Sequence, residues 1–406
     1  MRKIFVKRFI WPDVSATSQI LTDLATHLAE EGEEVVVVTS ALRYDDPTAR
    51  LAPSDRHLGV DVRRVWTSRL GRGSLPARIL DYVTFYISAF WTLLVLAGRG
   101  DIIVAKTDPP LIGVAVAAAA GMRGARTVQW VQDLYPETAS AFGVLPKSGL
   151  LVGILKAVRG WSLRASAASV AIGARMAERL ADAGADPAKI HVIENWVDEA
   201  FITPVARAEN RLRRDWGLGG RFVLAYSGNL GRAHDVSTLL DALGLLRPNN
   251  RPLCLFIGGG HGMEALRSEI AQRGLDDCIR FKPYQPQDML RFSLGVADLH
   301  WVSLKPQLEG LIVPSKVYGI LAAGRPLIMI GDPDGEVGRL VRAYDCGVCV
   351  KPDESERLAS TLTSLMQDPD RVHKMGQRAR AAAEGDASRL RALAKWRDVL
   401  SRCRAT

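Results

Sequence analysis

The sequence predicts an α/β protein made of two open, parallel-sheet domains in series. Three observations carry that prediction. Apolar β-runs alternate with helical patterns along the chain, as parallel sheets with crossover helices require. The alternation restarts near residue 221 with a fresh β-run and a glycine turn. A length of 406 residues gives each domain enough chain for its own core.

The first domain opens on a strand over residues 4–9 and a turn over 11–18. Leu21, Leu24, Ala25 and Leu28 then share one face at helical spacing. Gly32 closes that helix, and the valine run 34–39 is a buried strand. Further strands are predicted at 62–65, 102–105, 127–131, 169–172 and 191–193. Residues 83–98 and 111–121 are apolar and uncharged. Both fall short of the ~20 residues that a bilayer span needs, so each reads as a buried helix. The linker is placed at 204–220, where the charged run 207–214 interrupts the apolar period. The second domain starts with the β-run 221–227 and the turn Gly228-Asn-Leu-Gly-Arg232. Val236, Leu239, Leu240 and Leu243 line its first helix, and strand 253–257 runs into Gly258-Gly-Gly-His-Gly262. The chain ends in a helix over about 387–403.

Composition excludes several classes. With 48% hydrophobic and 24% charged residues, the chain is a folded protein and not a disordered one. Cys346-x-x-Cys349 is the one close pair among five cysteines, and no second pair or nearby histidine completes a zinc site. Its valine-rich flanks make it a strand. The odd count, with no secretory apolar region after Met1, points to a reducing compartment. Residues 62–180 hold 15 Lys and Arg against 6 Asp and Glu, an excess equal to the net charge of +9. A basic half beside apolar, aromatic helices suits an anionic membrane face; a solvated basic surface gives the same count. No nucleic-acid-binding pattern accompanies it.

Residues 309–328 carry the most chemistry. The loop Glu309-Gly310-Leu311-Ile312-Val313 leads to Pro314-Ser315, which open a helix, and Gly324-Arg325-Pro326 ends it before a β-run. Free N–H groups of the first turn, the Lys316 ammonium and the Glu309 carboxylate can together hold a phosphate and a hydroxylated group. A capped helix with a solvated lysine is the plainer alternative. The histidines show no metal-ligand spacing, so no metal site is predicted.

Pro314-Ser-Lys-x-Tyr-x-x-x-Ala-Ala-Gly-Arg-Pro326 resembles the donor segment of family 4 glycosyltransferases of the GT-B type, in the branch that builds bacterial surface polysaccharides. The resemblance covers nearly the whole chain. It implies two Rossmann-like α/β domains facing across a cleft: residues 1–203 on the acceptor side, with 387–406 packing back on them, and residues 204–386 binding the nucleotide sugar. It implies a retaining, metal-independent transfer from a nucleotide diphosphate sugar, with no other cofactor, to a polyprenyl-diphosphate-linked or saccharide acceptor. It also implies work on the cytoplasmic, inner face of the plasma membrane. A GT-B sugar-nucleotide epimerase and a non-catalytic nucleotide-sugar-binding protein stay open as alternatives.

The resemblance assigns residues as well. Ser15-Ala16-Thr17 stands where relatives carry a Gly-Gly pair near donor or acceptor; a plain helix cap is the alternative. Gly228, Asn229 and Arg232 meet the diphosphate, with Lys316 as second cation and Ser315 at the helix start. Gly258 and Gly259 leave room for base and ribose. Tyr284 flanks the base or is a core aromatic. Glu309 replaces the first of two family glutamates through a shifted loop, because the position of the second is Gly319. Trp130-Val-Gln-Asp-Leu-Tyr-Pro-Glu137 resembles the His-Asp-x-x-Pro segment, so Asp133 binds an acceptor hydroxyl or takes its proton. Its alternative is a turn cap.

Overall fold

Valine- and isoleucine-rich runs without polar alternation are buried on both faces, and here they form two largely parallel sheets. The structure, a computed structural model, describes residues 1–13, 15–44, 46, 49–71, 74–260 and 262–405. Val14 of the first turn, His261 of the glycine run and Thr406 of the last segment lie outside them.

The first compact unit is Met1–Glu194 with Ala392–Thr406. Its strands are β1 (Lys3–Val6), β2 (Val35–Ser40), β3 (Ser54–His57), β4 (Val60–Val65), β5 (Ile102–Lys106), β6 (Arg126–Val131), β7 (Ala168–Ala171) and β8 (Ile190–Val192). They run in the order β3-β4-β2-β1-β5-β6-β7-β8, and the one antiparallel pair is β3–β4. Its helices are α1 (Ala16–Glu30), α2 (Leu75–Leu96), α3 (Ile112–Arg123), α4 (Glu137–Ala141), α5 (Leu150–Arg164) and α6 (Ala174–Asp182). The strand order reverses at β1, which pairs with β2 on one side and β5 on the other. Carboxyl ends at such a switch point are where open α/β sheets bind ligands.

Two elements differ from expectation. The polar edge strand β3 was not legible, because Ser54–His57 carries no apolar alternation; its signal is the Leu58–Gly59 turn, with φ of 46° and 84°. The apolar stretch 83–98 is the second part of a 22-residue helix, α2. Ser74 accepts the Ala77 N–H and Pro76 occupies the first turn, so the helix starts eight residues earlier. By length and a mean hydropathy of 1.7, α2 could cross a membrane, and only 22% of its apolar window is buried. The expectation of a short, buried helix is therefore overturned.

The second unit is Asn195–Arg391. Its strands are β9 (Val223–Asn229), β10 (Leu253–Gly259), β11 (Ile279–Lys282), β12 (Leu299–Ser303), β13 (Leu327–Ile330) and β14 (Gly347–Val350). All are parallel, in the order β11-β10-β9-β12-β13-β14. Around them lie α7 (Arg211–Asp215), α8 (Ser237–Leu245), α9 (Met263–Gln272), α10 (Leu290–Gly295), α11 (Lys316–Ala322), α12 (Glu336–Tyr344), α13 (Ser355–Gln367) and α14 (Pro369–Glu384). Leu224, Tyr226, Leu239, Leu243, Phe256 and Trp301 anchor the core beneath the strand ends. The charged run 207–214 is folded onto this unit: Arg207 and Arg213 converge on Asp298 at 3.0 and 3.3 Å. The last helix, α15 (Arg389–Ala405), belongs to the first unit from Ala392 onward, and there Trp396 packs on Trp130 at 4.4 Å. On β14, burial pushes the Cys349 thiol up to about 11, a poor state for metal or redox work.

Candidate active site

At the carboxyl edge of the second sheet, β10 extends two residues further than predicted. Gly258 and Gly259 stay in register with Gly228 and Asn229 of β9. A Cβ on Gly258 would lie 2.4 Å from the Gly228 carbonyl oxygen, and one on Gly260 would lie 2.2 Å from the Leu230 carbonyl oxygen. Both glycines have positive φ, 131° and 145°, so only glycine fits. The Leu230 N–H donates to the Gly259 carbonyl at 2.8 Å and ties the two loops together. Tyr284 lays its ring against this backbone, about 3.1 and 3.2 Å from the Cβ positions of Gly258 and Gly259. At 60% exposure it is no core aromatic; it presents a ring face to solvent.

Lys316 reaches this edge from the start of α11, with its Cε 3.6 Å from the Cβ position of Gly228. Its ammonium bonds to the Tyr226 hydroxyl and to His234 Nε2 at 3.1 Å. His234 Nδ1 lies 2.7 Å from the Ser303 carbonyl, so it carries the proton and Nε2 offers its lone pair to Lys316. Burial and then the Lys316 charge push His234 down to about 4, which keeps it neutral. Tyr226 donates its own proton to the Asn229 carbonyl at 2.7 Å and so accepts from Lys316. Two of the three ammonium protons are thus directed, and the third is available to a ligand. Burial lowers Lys316 to about 7.

The other predicted residues divide. Arg232 is exposed, and Ala233 behind it accepts the Lys305 N–H at 2.9 Å. Lys305 contributes to the depressed His234 pKa, so it adds a further cation to this edge. Ser315 caps α11 by backbone alone, and α11 has seven residues, so the helix-start contribution is smaller than the sequence suggested. Glu309 is 8% exposed, and its carboxylate accepts the Glu336 N–H at 2.8 Å at the start of α12. A Cβ on Gly335 would strike that carboxylate at 2.4 Å. Gly310 takes φ of 76°, Leu311 is buried, and Ile312 and Val313 are half-buried behind Pro314. Gly319 faces Leu294 inside the unit, 3.3 Å from its Cβ position, so no acid is needed there for packing.

In the first unit, groups collect at the carboxyl ends of β1, β5 and β6. Ser15 does not cap α1 with its side chain; its hydroxyl pairs with that of Ser18 at 2.7 Å. Ala16 is exposed and Thr17 half-buried beside it. Lys7 donates to the Ser18 hydroxyl at 2.8 Å and the Phe9 carbonyl at 2.9 Å, 3.8 Å from Asp108. Burial lowers it to about 8. Lys106 stacks its ammonium on Trp130 at 3.5 Å, and burial holds it well below its usual value. The Thr107 hydroxyl accepts the N–H of Gln132 and of Asp133, which turns the chain out of β6. Asp133 lines a cavity of about 30 Å³, and burial, aided by the Asp108 charge, pushes its carboxyl up to about 7. Glu137 is taken by Arg159 at 2.6 Å and Lys156 at 3.8 Å, so it is structural.

Sequence reasoning missed His234, Tyr226, Lys305 and Lys7. The available signals were a histidine two residues past the Gly228–Arg232 turn and a lysine at the end of an otherwise apolar strand. Among the described residues no group of three His, Cys, Asp or Glu is placed to hold a metal.

Comparison with known proteins covers both units. The family described as "Glycosyl transferase 4-like domain" matches residues 16–196, and "Glycosyl transferases group 1" matches residues 209–382. The chain is 27% identical over 274 residues to a probable glycosyltransferase, WbjE, of Pseudomonas aeruginosa, which covers 67% of each protein. It is 25% identical to WcaI, a putative colanic acid biosynthesis glycosyl transferase of Escherichia coli, over 88% of this chain and 90% of that one. Its fold is similar to that of HepE of Anabaena in complex with UDP-glucose, with a TM-score of 0.74 over 99% of both chains at 17% identity.

Proposed function

We propose that this chain, which belongs to the family 4 glycosyltransferases of the GT-B type, moves a sugar from a nucleotide diphosphate sugar to a lipid-linked or oligosaccharide acceptor of bacterial surface polysaccharide synthesis. The observation that carries the reading is Lys316, held by His234 and Tyr226 with one N–H left over beside the open backbone of Gly228. A desolvated ammonium positioned before the ligand arrives stabilises charge that grows on a leaving diphosphate. Arg232 adds an exposed cation on the same turn, and the Tyr284 ring face over Gly258 and Gly259 suits the nucleotide base.

Transfer with retention breaks the bond from the sugar's anomeric carbon to the phosphate oxygen. A bond from the same face to the acceptor oxygen replaces it, and the acceptor's proton passes to the departing phosphate. No carboxylate pair is required. Asp133, with a pKa near 7, is proposed to bind the acceptor hydroxyl from the first unit. The protein is proposed to work on the cytoplasmic side, peripheral to the inner face of an anionic membrane, which the basic excess over residues 62–180 supports.

The route needs no metal, so EDTA should leave donor turnover unchanged. Loss of more than about nine-tenths of the rate, restored by magnesium, would contradict it.

The Lys316 pKa gives a pH test with a defined sign. Free Lys316 titrates near 7, and a diphosphate binds its charged form. Donor affinity is therefore full below pH 7 and falls above it, with KM rising by up to about tenfold per pH unit. Lys316→Arg, which stays charged, should flatten that rise. A wild-type KM that is constant up to pH 9 would exclude Lys316 as the diphosphate contact.

A further inference from the structure

The helix α2 is apolar all round yet packed on one side alone. Phe85, Ala89 and Leu93 are buried at a four-residue spacing. On the opposite side Ile79, Val83, Ile87, Trp91 and Val95 keep the same spacing and are 40–85% exposed. The alanine-rich helix α3 packs against both α2 and α5. On α5, a second exposed apolar row runs through Leu150, Ile154, Val158 and Trp161. A water-facing helix with this composition lacks a partner.

We propose that the outward faces of α2 and α5 embed side by side in one leaflet of an anionic bilayer, with lipid acyl chains as their partner. This rests on the membrane-surface reading above and adds to it a penetrating, apolar contact. Spanning is ruled out by the packed side. A crossing helix would have to strip Phe85, Ala89 and Leu93 from the core. It would also have to pull buried Asp81 away from Arg8, Ser68 and the N–H groups of Leu70 and Gly71. The helix therefore lies in the plane of the surface. Charge selects lipid over a second copy of the chain. The three helices carry Arg78, Arg123, Lys156, Arg159 and Arg164, and their one acid, Asp81, is buried. Exposed Arg123 and Arg164, with half-exposed Lys156, would face their own kind across a symmetric dimer but meet phosphates at a leaflet. Trp91 and Trp161, 62% and 44% exposed, suit the headgroup boundary.

The test uses the full chain and vesicles of phosphatidylethanolamine with phosphatidylglycerol, sedimented at low and at high salt. Salt removes the electrostatic part. The proposal expects a bound fraction that survives high salt, and quenching of tryptophan fluorescence by brominated acyl chains that shrinks in Trp91→Phe. The double variant Ile87→Glu, Val95→Glu changes exposed side chains outside the donor site. It should lose the salt-resistant fraction by about tenfold or more while keeping its melting temperature and donor turnover. Binding that salt removes completely, without quenching, overturns insertion and leaves the peripheral reading standing. No binding at low salt overturns both. A dimer in solution that the double variant dissociates assigns the face to a second copy and overturns the proposal.

Discussion

Lys316→Met should lower sugar transfer by roughly two to three powers of ten without lowering the melting temperature. The lost contact is a charged hydrogen bond to a leaving group in a desolvated site, worth on the order of 2–4 kcal/mol in the transition state. Folding should tolerate the change, because burial already disfavours the ammonium in the free protein. Methionine keeps the apolar stem beside Gly228 and removes only the charge. Arg232→Ala should cost less, about tenfold, since an exposed guanidinium acts through water. The readout is nucleoside diphosphate release under single turnover. Near-normal release by Lys316→Met at an unchanged melting temperature would remove the phosphate site.

Gly260→Ala should abolish donor binding. Its Cβ would collide with the Leu230 backbone at 2.2 Å, and its φ of 145° is strained for any other residue by about 1–3 kcal/mol. Relief requires moving the loop that carries Asn229 and Arg232, the same loop that Leu230 N–H pins to Gly259. Nucleoside diphosphate affinity should fall by at least about two powers of ten, with a lowered melting temperature. Gly262→Ala is the control: no atom lies within 4 Å of its Cβ position and its φ is −94°, so affinity should hold. Equal affinities in the two variants would mean that the glycine edge does not hold the nucleotide.

The parallel sheets were legible because their strands are continuous apolar runs, as in Val35–Ser40, and because helical periodicity separates them, as in Leu21, Leu24 and Leu28 of α1. The edge strand β3 was not, since its polar residues share the composition of a loop. The donor edge was half legible. Gly228, Gly258 and Lys316 stand in recognisable segments, and glycine is demanded by positive φ at both glycines and by a backbone clash at Gly258. His234 and Tyr226 act through a hydrogen-bond chain that closes only when β9, β12 and α11 converge. The contact of Glu309 with the start of α12 was not legible for the same reason, since Glu336 lies 27 residues away in sequence and adjacent in space. The outward face of α2 was hidden because an apolar run does not state which side of it the sheet covers.

The most direct test of the account is mass spectrometry of the acceptor pool after incubation with a panel of nucleotide sugars and polyprenyl-linked intermediates extracted from bacterial membranes. One donor should yield an acceptor heavier by one sugar, with one nucleoside diphosphate released per transfer, and Lys316→Met should yield almost none. An unchanged acceptor pool with a donor sugar converted to its epimer would contradict it. So would tight donor binding with no turnover for any acceptor.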